Sequence, residues 1–143
     1  MFTKAHFVEL CLKFNTMTEK TFIYDQHTEN QDWLKRLDFY KEEVHILGER
    51  LEELTRKNND ANFLKEVEHF QNQFLIQRNS IDELSHNIRA NEGDLVKEIN
   101  HNPVAVDHRK VENHDAEADF MGYFEKNFAT IRADFNQFAA KWM

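Results

Sequence analysis

The apolar residues of this chain fall into three runs that share one rhythm. From Trp33 they recur at Leu37, Tyr40, Val44, Leu47, Leu51 and Leu54, in alternating steps of four and three. A second run reads Phe63, Val67, Phe70, Phe74, Gln77, Ile81, Leu84 and Ile88, continued at Asn91 and Leu95. A third reads Met121, Phe124, Phe128, Ile131, Phe135, Phe138 and Trp142. This spacing is the a/d seam of a heptad helix, and none of the runs slips register. The pattern predicts helices over about residues 30–57, 61–92 (or on to 100) and 107–142.

The punctuation between the runs agrees. Thr28 followed by Gln31 has capping-box spacing ahead of the first helix. In the polar connector "RKNNDAN", Asn59 or Asp60 suits the N-cap of the second. "NEGD" at 91–94 is a place to kink or end that helix, and "INHNPVAVD" around Pro103 is a loop, with Asp107 or Asn113 capping the third. Helices joined by short loops pack antiparallel. The expected fold is all-α: an antiparallel bundle of three long coiled-coil-like helices occupying residues 30–143. Residues 1–29 carry no single pattern. Phe7, Leu10, Cys11 and Phe14 have helical spacing, whereas Val8, Leu10, Leu12 and Phe14 alternate as a strand would. The segment reads as a short fourth element or as an extension before an alternative start at Met17.

Composition narrows the class. A chain of 143 residues fits one domain, and a single proline with three glycines suits a helical chain. The net charge of −8 argues against nucleic acid or anionic membrane as partner, because both are bound through basic patches. No apolar run reaches the roughly 20 residues that a bilayer crossing needs. No clear cleavage site follows the apolar "AHFVELCLKF", and Cys11 is a lone cysteine, so a cytoplasmic protein is expected.

The candidate chemistry is metal binding. Glu-x-x-His spacing occurs at Glu42–His45, Glu66–His69 and Glu83–His86. Two such motifs facing inward from neighbouring helices hold metal ions in ferritin-like bundles. Here the registers place His45 at b, His69 at c and His86 at f, all away from the seam. His114 differs: counting back from Met121 puts it at an a position, with Glu117 at d. Loop positions then bring His27, His86, His108 and His114 to one end of the bundle with Glu92 and Glu117. No cofactor is required by the pattern; a donor set of this kind would take iron, zinc or manganese. The acidic residues around His114 also suit a helix N-terminus without any metal.

His45-x-x-x-Glu49 and His114-x-x-x-x-Asp119 resemble two ligand motifs of hemerythrin-like oxygen carriers. The chain departs from that pattern where Gln73 follows His69, and from the ferritin-like one where the motifs face outward, so neither ligand set carries over. "YDQHTENQDWL", "VEHFQNQF" and "NPVAVDHRKV" resemble stretches of a group of small bacterial helical-bundle proteins, a likeness that implies a helical fold and no particular activity. No nucleophile with an adjacent base, and so no enzyme, can be assembled from the spacings.

Off the seam lies a second apolar set: Phe39 and Ile46 at c on the first helix, and Leu75 and Ile76 on the second, close to His69. An apolar patch of this kind needs cover. The N-terminal segment could supply it, or a second copy of the chain. Polar Gln77 and Asn91 within the seam suit a specified helical partner, since such residues fix register at a cost in stability. The leading expectation is a non-enzymatic interaction or structural module that binds itself or another helical protein. A metal-binding bundle centred on His114 is the alternative.

Overall fold

The computed structural model describes residues 4–101 and 108–143, and side chains from residue 23 onward except those of 99, 101 and 108–112. It is built from three helices, α1 (Lys4–Lys57), α2 (Ala61–His101) and α3 (His108–Trp142), with no strand among the described residues. The heptad residues form one continuous core, from Trp33 and Leu37 through Phe63 and Phe74 to Phe135 and Phe138. Phenylalanines concentrate toward the α1–α2 connection. Phe63 stacks on Phe138 with centroids 5.5 Å apart, and Phe135 meets Phe70 and Phe74 edge-on, each at 5.4 Å.

The order up-down-up follows from which residues meet. Lys41 contacts Asp82 and Asn30 contacts Glu92, so α2 descends as α1 rises. Phe74 meets Phe135 and Asn91 meets Glu117, the same relation between α2 and α3. Between α1 and α3 the relation is parallel: Arg36 pairs with Glu125 and Glu43 with Arg132, both 89 residues apart in sequence. These are g-to-e pairs flanking a heptad seam. Tyr40 donates to Glu125 at 3.0 Å, and its hydroxyl pKa is raised, first by burial and then by that carboxylate.

Local chemistry explains the connection. Asp60 caps α2, its Oδ1 accepting the amides of Asn62 at 2.8 Å and Phe63 at 3.2 Å. Asn58 donates to Leu54 O at 3.1 Å and to Trp142 O at 3.2 Å, which satisfies carbonyls at the ends of α1 and α3 together.

Two expectations change and a third is narrowed. The first helix begins at Lys4 rather than near residue 30, so residues 4–29 extend α1 and do not form a separate fourth element. The seam itself runs on through buried Ile23, Gln26 and Asn30, two of them polar, which is why an apolar pattern stops at Trp33. Thr28 is accordingly no cap; its Oγ1 donates back to Tyr24 O at 3.0 Å within the helix. The second helix takes the longer of its two expected extents: "NEGD" does not end α2, and Glu92 and Leu95 are both buried within a helix that runs to His101.

Candidate functional site

The seam changes character along its length. At the end remote from the α1–α2 connection, Gln26 and Asn30 of α1, Glu92 of α2, and His114 and Glu117 of α3 are all buried. Each pair of helices is joined there by its own polar link. Between α1 and α2, Glu92 is bonded by His27 Nδ1 and, at 2.8 Å, by Asn30 Nδ2. Between α2 and α3, Asn91 Nδ2 donates to Glu117 Oε1. Between α1 and α3, His114 Nε2 lies 2.9 Å from Glu29 Oε2, while its ring stacks on Trp33 at 4.8 Å.

The layer is not fully satisfied. Glu117 Oε2, Asn30 Oδ1 and Gln26 Nε2 are buried without a partner. Burial pushes the Glu117 carboxyl up to about 7, and the hydrogen bond from Asn91 offsets only part of that. Deeper in the bundle, Gln77 is also buried with both amide atoms unpartnered.

Of the six residues expected at this end, His27 and Glu92 bond each other, while His114 bonds Glu29 and Glu117 bonds Asn91. His86 joins none of them, because its f position turns it to the exposed side of α2. The His108 side chain lies outside the described residues. Within the layer each carboxylate engages a different partner, and among the described residues no three His, Cys, Asp or Glu side chains come together in a way that could hold a metal ion. The Glu-x-x-His residues have other contacts: His45 pairs with Glu49 at 3.1 Å, and Glu66 accepts the Trp142 indole N–H at 3.2 Å. Gln26, Asn30 and Glu29 were not legible as site residues. Counting the α1 heptad back through polar positions reaches Asn30 and Gln26.

The outer apolar residues fall into two grooves, not one patch. Ile46 and Leu75 line an open groove of about 900 Å³ between α1 and α2, floored by Val44, Leu51 and Phe74. Ile76 turns the other way, into a groove of about 470 Å³ between α2 and α3 that it shares with Phe120 and Tyr123. Phe39 and His69 line neither of these grooves. Phe39 is 72% exposed, and exposed His69 packs edge-on against Phe70 at 5.4 Å. The division follows from the wheel: b on α2 lies beside e, which faces α1, while c lies beside g, which faces α3. Phe120 at g and Tyr123 at c of α3 were missed as partners of Ile76, although the spacing of α2 and α3 puts them at one level.

No helix among the described residues is long and apolar enough to cross a membrane. Compared with known protein families, curated proteins and solved structures, the chain matches none.

Proposed function

We propose that this chain is a non-enzymatic, cytoplasmic interaction module that associates with itself or with another helical protein through the outer faces of its bundle. The observation that carries the reading is the contrast between seam and surface. The seam is filled by its own side chains, yet Ile46, Leu75, Ile76, Phe120 and Tyr123 each stand about half exposed or more, gathered over two grooves instead of scattered. Apolar side chains gathered in this way mark interaction surfaces more often than single exposed ones. An Ile46→Glu, Leu75→Glu variant should keep its helical signal and its melting temperature while losing association in light scattering. Unchanged association in that variant and in Phe120→Glu, Tyr123→Glu would sink the reading.

A metal-binding bundle is the second reading, favoured by one observation: Glu117 Oε2 and Asn30 Oδ1 are buried acceptors without partners, in the same layer as Glu92 and His114. Protein purified without chelator or affinity histidines should then contain near-stoichiometric iron, zinc or manganese, lost on His114→Ala, Glu117→Ala. Metal-free protein that folds and melts normally after chelation rules this second reading out.

A further inference from the structure

The α1–α2 groove has a feature that the isolated chain does not use. Gly48 lies in its wall, in the middle of a 54-residue helix, and a Cβ added there would meet nothing within 4 Å. A glycine inside a helix is destabilising relative to alanine. Among the described residues no packing requires it. The space it leaves admits the close approach of something else.

The chemistry of the groove limits what that is. Its floor is apolar, and its α1 rim carries exposed Glu42, Glu49 and Glu52, with Glu49 paired to exposed His45 one turn away and Arg78 on the α2 side. Lys41 is taken up by Asp82 at 3.1 Å. The chain's own sequence contains a complementary segment. Phe7, Leu10, Phe14 and Met17 follow one another in steps of three, four and three, at f and b when the α1 heptad is counted back through the sequence. Lys13 and Lys20 flank that stripe seven residues apart, the same interval as Glu42 and Glu49. The segment cannot reach its own groove, because both belong to one helix, Lys4–Lys57. Residues 20 and 42 are twenty-two positions apart along the helix, about 33 Å at 1.5 Å per residue.

We infer that the α1–α2 groove receives the N-terminal segment of a second copy of this chain, the two α1 helices running antiparallel about a two-fold axis. One register satisfies the sequence. With Lys13 opposite the partner's Glu49, Lys20 falls opposite its Glu42 and Phe14 opposite its Gly48. The axis then passes near Gln31, and symmetry places the reciprocal segment in the other groove, so the assembly closes as a pair. In the same register Cys11 comes opposite the partner's Leu51, at the level of Gln71 on the α2 wall of the groove.

This rests on the reading of the chain as an interaction module, and the test separates the two. Light scattering of the full chain is compared with Gly48→Leu, which puts a bulky side chain on the groove wall where an added Cβ meets nothing within 4 Å, and with Glu42→Lys, Glu49→Lys. Both should weaken pairing by about tenfold or more with unaltered helical signal. Mixing the Glu42→Lys, Glu49→Lys chain with a Lys13→Glu, Lys20→Glu chain should restore it. In a Gln71→Cys variant, mild oxidation with copper phenanthroline should give a covalent pair that Cys11→Ser abolishes. A stable pair indifferent to Gly48→Leu and to charge reversal, with no crosslink between positions 11 and 71, overturns this inference and leaves the interaction reading standing. A chain that stays single at every concentration overturns both.

Discussion

Glu117 occupies a seam position where its neighbours along α3, Met121 and Phe124, are apolar, and burial sets its chemistry. Its carboxyl is pushed up to about 7 against an ordinary value of 4.5, so the folded chain favours the protonated form. That contribution to stability is complete below about pH 4.5 and is lost as pH rises through about 7. Urea denaturation should therefore show Glu117→Gln stabilising the protein by about 1–3 kcal/mol at pH 8. At pH 4 it should have little effect, and equal effects at both pH values would contradict the burial argument. Gly48 gives a second residue-scale prediction. Gly48→Ala should raise stability by roughly 0.5–1 kcal/mol through helix propensity alone, since nothing among the described residues obstructs the added methyl. His114 and Glu117 were legible as seam residues from their spacing to Met121. Glu29, which bonds His114, was not, because it lies beside the seam at an exposed position that an apolar pattern does not mark.

At the scale of elements, the caps and the core can be tested separately. Asp60→Ala removes the acceptor for two amides at the start of α2 and should cost about 0.5–2 kcal/mol in chemical denaturation. Phe135→Ala empties a fully buried position between Phe70 and Phe74 and should cost about 3–5 kcal/mol. A loss below 1 kcal/mol would mean the aromatic core is not where the stability lies. The three helices were legible because steps of three and four persist from Trp33 to Leu54, Phe63 to Leu95 and Met121 to Trp142. Helix ends marked by chemistry were legible too, as at Asp60. The start of α1 was not: Thr28 and Gln31 have the spacing of a cap, but Gln26 and Asn30 bury themselves and carry the helix past it. Likewise Gly93 is tolerated within α2, where burial of Glu92 and Leu95 on either side outweighs its poor helix propensity.

For the whole molecule, the two ends of the bundle differ in kind. The end near the α1–α2 connection is packed with phenylalanine rings, while the other is tied by one polar link between each pair of helices. A polar layer of this sort fixes register at some cost in stability, which suits a bundle whose outer faces are to be presented at a defined level. The unlike outer grooves could not be separated from sequence by apolar residues alone. Ile46 and Leu75 share one and Ile76 with Tyr123 the other, according to which neighbour each helix edge faces. Association is proposed to run through the α1–α2 groove. Its most direct test is the molar mass of the full chain by light scattering over a range of concentrations, beside Gly48→Leu. Pairing through the groove gives twice the mass of one chain for the unmodified protein and a shift toward the single chain for the variant. A single-chain mass for both, at every concentration, would contradict it.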